Sequence, residues 1–155
     1  MSARLPSRKR PGPSRAQAEP AAATDDLNMI VGIGVDIMET ARFEEALHKH
    51  GERLAKRVCT PAEIAYCEKF KYPAERLAAR FAAKEAAFKA LGTGWAEGVR
   101  WLDVEITHRP GGKPELILRG RAQEIARGMG VTRTAVSISH SDAYVLAQVI
   151  FESDG

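Results

Sequence analysis

The chain has 155 residues, of which 45% are hydrophobic and 28% are charged, and its formal net charge is +3. This composition fits one compact domain with its own core, and two cysteines are too few for a disulfide framework. No stretch approaches the roughly 20 apolar residues that a membrane-spanning helix requires, and the N-terminus lacks the apolar segment of a secretory signal. We therefore expect a soluble, cytoplasmic protein with no membrane partner and with reduced cysteines.

Residues 1–28 differ in composition from the rest of the chain. They are rich in Arg, Pro and Ala, and they carry five basic and three acidic residues, so they account for most of the net charge. Because they show no apolar periodicity, we predict a disordered leader over 1–28 and one domain over 29–155. A nucleic-acid-binding arm, a targeting peptide and an extension upstream of a true start at Met29 are the alternatives to a passive tail.

The first predicted element is a strand over residues 29–37 with two unequal faces. One face carries β-branched residues and is expected to enter the core, whereas the other carries Gly32, Gly34 and then Asp36. Glycines remove side-chain bulk from a strand. Another group is therefore expected to approach the strand closely beside Asp36.

Three helices are predicted after this strand. Thr40 is a plausible cap for the first helix, and Thr60-Pro61-Ala62-Glu63 combines a cap, a proline at the first helical position and a capping-box carboxylate for the second. The third helix is predicted from Pro73 to Leu91, where a glycine-rich turn ends it. It is the longest of the three and is rich in alanine.

The second half of the sequence predicts two strand pairs. Residues 102–107 and 115–118 form a hairpin around a connection rich in Gly and Pro, and residues 122–129 show helical spacing. Residues 134–140 and 144–151 form the last pair of strands. This order predicts an α+β domain in which helices pack against a largely antiparallel sheet.

One acidic residue, Glu85, lies on the otherwise apolar face of the third helix. A lone carboxylate is costly to bury, so Glu85 needs a cation, hydrogen bonds or a route to solvent, and Asp36 needs the same. One interpretation is that Asp36 and Glu85 together bind Mg²⁺, which takes one or two carboxylates and completes its shell with water and phosphate oxygens. The other is a pair of local ion pairs with basic residues of the same helix, namely Arg80, Lys84 and Lys89.

Two further segments carry groups that suit phosphate. Lys84 and Lys89 flank Glu85 near the end of the third helix, where a lysine either solvates the helix end or reaches a ligand phosphate. Residues 137–141 combine three serine hydroxyls with the imidazole of His140, a set that binds phosphate oxygens or relays a proton. An ordinary polar turn explains this last segment equally well.

Three segments, in this order, resemble the holo-acyl-carrier-protein synthases, which are short-type 4′-phosphopantetheinyl transferases. They are Gly-Ile-Gly-Val-Asp-Ile at 32–37 with Arg42 after it, Arg-Phe-Ala-Ala-Lys-Glu-Ala-Ala-Phe-Lys-Ala-Leu-Gly-Thr-Gly at 80–94, and Ser-Ile-Ser-His at 137–140. The resemblance covers essentially all of residues 29–155. It implies the α+β fold of that family and transfer of 4′-phosphopantetheine from coenzyme A to a serine of apo-acyl carrier protein, with release of 3′,5′-ADP, in support of fatty acid biosynthesis.

The resemblance also assigns roles to single residues. It implies that Asp36 and Glu85 bind Mg²⁺, with Mn²⁺ as an alternative ion, and that Glu85, Lys89 and His140 are catalytic. The residues implied to contact coenzyme A are Lys84, Lys89, Gly92, Thr93, Gly94, His140 and Ser141. Three candidates for the general base stay open, namely a water at the metal site, Asp36 or Glu85 acting through water, and His140.

The partners follow from the same resemblance. Acyl carrier proteins are acidic, so a basic surface is expected to dock them, and Arg42 is the best-matched docking residue. Family members of this length form homotrimers with sites at subunit interfaces, so we expect self-association. The leader over residues 1–28 departs from the family pattern. The rival interpretations are a nucleic-acid-binding protein that uses the leader and a non-catalytic module that binds coenzyme A or a carrier protein.

Overall fold

The computed structural model describes residues 28–94 and 96–155, so the predicted disorder of the leader lies almost entirely outside the described residues. The elements are β1 (Met29–Glu39), α1 (Thr40–His50), α2 (Glu52–Val58), α3 (Pro61–Glu68), α4 (Pro73–Leu91), a 3₁₀ turn (Trp101–Asp103), β2 (Val104–His108), β3 (Pro114–Leu118), α5 (Gly120–Gly128), β4 (Arg133–His140) and β5 (Tyr144–Ser153).

The strands form two antiparallel sheets. One has three strands in the order β1-β5-β4, and the other is the β2-β3 hairpin. The predicted α+β architecture, with helices packed against antiparallel strands, is confirmed. None of the helices in the described part of the chain is long and apolar enough to cross a membrane.

The prediction of three helices between the first two strands is wrong, because the structure has four. Helix α2 was missed. It is seven residues long, and it is separated from α1 only by Gly51, which has a φ of 59° and caps α2 without a side-chain hydrogen bond. A helix this short carries less than two turns of periodic signal, and it begins without the Ser, Thr, Asp or Asn that marks a helix start in sequence.

Helix α4 packs directly on the glycine face of β1. A Cβ atom at Gly34 would overlap the carbonyl oxygen of Ala86, and one at Gly32 would overlap that of Ala90. The alanines of α4 that lie against the sheet are buried. The predicted close approach to the glycines therefore comes from the backbone of the chain's own helix, which lies nearer to the sheet than larger side chains would allow.

The opposite face of the same sheet is exposed. The expectation that the β-branched face of β1 enters the core is wrong, because Ile33, Val35 and Ile37 are 58%, 49% and 60% exposed. Tyr144 and Leu146 of β5 are also exposed on this sheet. We call these five residues the outer apolar face. The reversal has a simple cause: only the glycine face can accept a helix at this distance, so the bulkier face points away from α4.

We predict that Gly34→Ala destabilises the protein by about 3 kcal/mol, because the added methyl group meets backbone atoms of α4 that have no rotamer to change. Urea denaturation measures the difference. The matched control is Gly128→Ala at the end of α5, where a Cβ atom meets nothing within 4 Å. The control is expected to keep the stability or raise it by up to about 1 kcal/mol. Equal midpoints for Gly34→Ala and the native chain would contradict the close packing.

Candidate active site

The strand β1 positions Asp36 at the last turn of α4. Asp36 lies opposite Ala147 of β5 and two residues beyond Gly34, so its side chain leaves the sheet on the helix side. The ammonium of Lys89 lies 3.1 Å from Oδ1 of Asp36 and donates a second hydrogen bond of 2.8 Å to the carbonyl oxygen of Val35. The Lys89 side chain is 51% exposed and that of Asp36 is 16% exposed, so a ligand can reach this ion pair from the lysine side.

Glu85 lies one turn before Lys89 on α4 and is half-buried. Residues four apart on a helix are neighbours on the same face. The structure thus brings Asp36 and Lys89 into contact and places Glu85 on the adjoining turn of the same helix face. We call Asp36, Glu85 and Lys89 the carboxylate–lysine cluster.

A glycine turn follows this cluster directly. Gly92 caps α4 in the left-handed conformation, with a φ of 75°, as the sequence predicts, and Gly94 has a φ of 52°. The N–H groups of Thr93 and Gly94 both point back to the carbonyl oxygen of Phe88, at 3.3 and 3.4 Å. The backbone of residues 92–94 is therefore folded tightly against the end of α4, close to Lys89.

The other predicted site residues lie where β4 turns into β5. His140 ends β4, and its Nδ1 atom lies 3.2 Å from a carboxylate oxygen of Glu75 in the first turn of α4. The hydroxyl of Ser141 accepts a hydrogen bond from the N–H of Tyr144 at 3.3 Å. We call His140, Ser141 and Glu75 the imidazole corner. The sequence did not indicate Glu75, because a carboxylate in the first turn of a helix is commonplace.

The two groups lie at opposite ends of α4. Glu75 and Glu85 are ten residues apart, which corresponds to about 15 Å along a helix axis. Asp36 and His140 stand on β1 and β4, with β5 between them, so their strands are about 10 Å apart. One chain therefore presents the predicted site as two separate groups of residues.

The structure contradicts the prediction that Lys84 contacts coenzyme A. The Lys84 side chain is 0% exposed, and its ammonium donates hydrogen bonds to Oε2 of Glu63 at 2.8 Å and to the carbonyl oxygens of Val58 and Trp101 at 2.6 and 3.3 Å. One residue along a helix is a rotation of about 100°, so the neighbour of an accessible Glu85 points into the interior.

Glu63 completes this buried pair. Its carboxylate also accepts the N–H of Thr60 at 2.7 Å, which closes the predicted capping box, and the N–H of Ile106 at 2.8 Å. It therefore joins the start of α3, the strand β2 and the helix α4. The sequence revealed the cap but not the ion pair, because the two side chains are 21 positions apart.

Neither cysteine is suited to nucleophilic chemistry. Cys59 and Cys67 are both free and buried. Burial, with a further contribution from the Glu63 carboxylate, raises the pKa of Cys59 to about 12, and burial also raises the pKa of Cys67. Both side chains are therefore neutral thiols near pH 7.

Arg42 lies in the first turns of α1 and is exposed. Other exposed basic residues follow it on α1 and α2, including Lys49, Arg53 and Lys56. The positive charge of Lys56 is offset by an ion pair with Glu52 at 3.1 Å. The structure thus leaves Arg42 available to a partner.

Comparison with known proteins identifies the family. Residues 32–149 match the family model of the 4′-phosphopantetheinyl transferase superfamily. This match spans more than half of the chain, and it includes most of β1, all of α4 and the β4-β5 turn. The chain therefore belongs to the 4′-phosphopantetheinyl transferase superfamily.

Individual relatives define the type within this superfamily. The holo-[acyl-carrier-protein] synthase of Koribacter versatilis is 47% identical over 124 residues, which cover 80% of this chain and 99% of the relative. The holo-[acyl-carrier-protein] synthase of Solibacter usitatus is 49% identical over 125 residues, which cover 81% of this chain and 100% of that relative.

Solved structures of this type have the same fold. The crystal structure of the Neisseria meningitidis holo-[acyl-carrier-protein] synthase superposes with a TM-score of 0.75 at 37% identity, covering 81% of this chain and all of that one. A Bacillus anthracis holo-(acyl-carrier-protein) synthase in complex with CoA (3′,5′-ADP) superposes with a TM-score of 0.67 at 39% identity. The superposition covers 81% of this chain and 98% of that one.

Proposed function

We propose that this chain transfers the 4′-phosphopantetheine group of coenzyme A to a serine of an apo-acyl carrier protein. Its relatives at 47–49% identity are holo-[acyl-carrier-protein] synthases, and a similar solved structure binds CoA (3′,5′-ADP). The observation that carries the proposal is the pairing of Lys89 with Asp36, one turn from Glu85 and directly before the glycine turn. Carboxylates, an ammonium and a tight glycine turn at one helix end suit a diphosphate.

The proposed reaction is a displacement at phosphorus. The serine hydroxyl of the carrier protein forms a bond to the β-phosphorus of coenzyme A, and the bond from that phosphorus to the bridging oxygen breaks. The released 3′,5′-ADP keeps that oxygen, and the hydroxyl proton passes to a base. Lys89 balances charge on the phosphates, and Gly92, Thr93, Gly94, His140 and Ser141 are the further proposed contacts of coenzyme A.

Asp36 and Glu85 would hold the metal ion in this proposal. The described residues contain no group of three or more His, Cys, Asp or Glu side chains that could hold a metal ion. Mg²⁺ does not require such a group, because it takes one or two carboxylates and otherwise keeps water and substrate phosphates, and Mn²⁺ accepts the same ligands. When bound, the ion supplies charge neutralisation on the diphosphate. Two carboxylates beside the partly exposed Lys89 fit this requirement.

We also propose that the active form is a homotrimer in which the imidazole corner of one subunit completes the carboxylate–lysine cluster of the next. Two observations support this. The two groups lie about 15 Å apart along α4 within one chain. The outer apolar face exposes five large apolar side chains on one sheet, and exposed apolar patches of this kind are typical of protein interfaces. The proposed setting is the cytoplasm, where the modified carrier protein serves fatty acid biosynthesis.

The transfer itself is tested by intact-protein mass spectrometry of an apo-acyl carrier protein incubated with coenzyme A and Mg²⁺. The native chain is expected to add one phosphopantetheine group, and Glu85→Gln is expected to lower the rate about a hundredfold or more, because it removes one of the two carboxylates proposed to hold the metal ion. Raising the Mg²⁺ concentration should recover part of the lost rate. The control is Glu68→Gln on the exposed side of α3.

Each outcome of this experiment is decisive. Equal rates for the native chain and Glu85→Gln would remove Glu85 from the mechanism. Absence of transfer to several carrier proteins, combined with calorimetric binding of coenzyme A, would favour the non-catalytic module instead.

Shared sites are tested by mixing two inactive variants. Trimers that combine His140→Ala and Glu85→Gln subunits are expected to regain activity, because some interfaces then contain two native halves. Ile33→Asp on the outer apolar face should reduce the sedimentation mass to that of one chain and abolish transfer, whereas Leu102→Asp, at an apolar residue that is 42% exposed elsewhere, should do neither. A native chain that sediments as a monomer, or mixtures without recovery, would contradict the assembly.

Docking of the acidic carrier protein is tested at Arg42. Arg42→Glu is expected to raise the KM for the carrier protein roughly tenfold while the Kd for coenzyme A stays unchanged, because α1 is exposed and Arg42 is outside both groups of the site. Arg127→Glu on α5 makes the same change of charge on another exposed surface and serves as control. An equal effect of both substitutions would show a general effect of net charge instead of a docking residue.

A further inference from the structure

The proposed reaction leaves the buried pair of Lys84 and Glu63 without a task, although Lys84 is the neighbour of Glu85 in the chain. The side chains of Lys84 and Glu63 are 0% and 1% exposed. The ammonium has three N–H donors, and it has three acceptors: Oε2 of Glu63 at 2.8 Å and the carbonyl oxygens of Val58 and Trp101 at 2.6 and 3.3 Å. These acceptors hold the ammonium at one position.

The carboxylate of Glu63 is held equally firmly. Its Oε2 atom also accepts the N–H of Thr60 at 2.7 Å, at the start of α3, and its Oε1 atom accepts the N–H of Ile106 at 2.8 Å, in β2. Both donors belong to the backbone and have no rotamer to change. The end of Lys84 is therefore tied to the backbone of four elements outside α4, namely α2, α3, the 3₁₀ turn and β2.

A second contact holds the same stretch of α4. The indole ring of Trp101 packs on the rings of Phe81 and Phe88, with ring centres 4.8 and 5.1 Å apart. These two phenylalanines lie four residues before Glu85 and three residues after it, so they are its neighbours on the helix surface. The residue whose carbonyl oxygen binds Lys84 therefore also contacts the helix on both sides of Glu85.

Stability alone does not account for an ion pair at this place. The cost of desolvating two charges offsets most of their attraction, so apolar side chains of similar volume stabilise a protein about as well. A charged hydrogen bond, however, requires a particular distance and direction, whereas apolar contacts are non-directional. A helix side chain ends about 5–6 Å from the axis, so a rotation of about 10° moves its end by about 1 Å. A misplacement of this size can lower a reaction rate about a hundredfold.

We propose that Lys84 is a positioning residue for Glu85. Through its ion pair with Glu63, it fixes the rotation of α4 that places Glu85 and Lys89 beside Asp36, whereas the glycine contact with β1 sets only the distance between helix and sheet. Lys84 itself is buried and touches no ligand. This inference rests on the proposed function, because the rate that it affects is the rate of transfer.

The test separates stability from rate in two variants. Lys84→Met leaves the carboxylate of Glu63 buried without its cation, so it is expected to lower both the urea midpoint and the transfer rate. The double variant Lys84→Met/Glu63→Gln removes both charges. It is expected to recover most of the midpoint, while kcat stays at least about tenfold below the native value. The KM for the carrier protein should stay unchanged, because the buried pair cannot touch a partner.

The matched control is Arg119→Met/Glu105→Gln, which removes an ion pair of 3.3 Å next to β2 and is expected to keep the native kcat. Recovery of the native rate together with the midpoint in the double variant of Lys84 would show a purely stabilising role and overturn the proposal. If that double variant does not fold, Glu63→Asp replaces it. This substitution keeps both charges but withdraws the carboxylate by about 1.5 Å, so kcat should fall about tenfold, and an unchanged kcat overturns the proposal.

A crystal structure of the folded variant gives a result that does not depend on activity. Helix α4 is expected to rotate, so that the ammonium of Lys89 leaves hydrogen-bonding distance of the Asp36 carboxylate, which it contacts at 3.1 Å in the native chain. If the native chain transfers nothing, the proposed function fails, but this displacement still supports the positioning role. An unchanged contact between Lys89 and Asp36 overturns it.

Discussion

The contact between the backbone of β1 and the backbone of α4 is the constraint on which the candidate active site depends. It exists because Gly32 and Gly34 have no side chain and because alanines of α4 face them. At this separation the ammonium of Lys89 reaches both the carbonyl oxygen of Val35 and the carboxylate of Asp36. A larger residue at either glycine would move the helix outward, and the lysine and the carboxylate would part.

The different faces of helix α4 have different surroundings. Its alanines lie on the sheet, Lys84 is anchored in the interior by Glu63, and Glu85 and Lys89 face the candidate site. Because Lys84 and Glu85 are adjacent, the buried ion pair fixes the rotation of the helix about its axis at the point where the site requires it. A buried ion pair adds little net stability, so its contribution here is geometric, since no other rotation satisfies both charges.

Sequence reasoning located what local signals specify. The limits of α4 were predicted correctly because proline favours the first helical position and glycine the C-cap. Matching motifs proposed Asp36 and Lys89 as site residues, and the structure brings these two side chains into contact. Sequence reasoning failed where the position of a side chain depends on a partner that is distant in sequence. Lys84 and Lys89 look alike in sequence, and only the carboxylate of Glu63, 21 positions from Lys84, makes one of them an interior residue. The periodicity of β1 likewise revealed two faces but not which one the helix covers.

The same constraint links the fold to the proposed assembly. Since α4 occupies the glycine face of the sheet, the β-branched residues of β1 must point outward, and they leave an apolar surface that water solvates poorly. The helix also separates Glu75 from Glu85 by about 15 Å, so one chain cannot bring His140 to Lys89 without unwinding it. In the proposed assembly, the association of identical subunits would both cover the outer apolar face and join the two groups of site residues, and a chain that failed to associate would lack both.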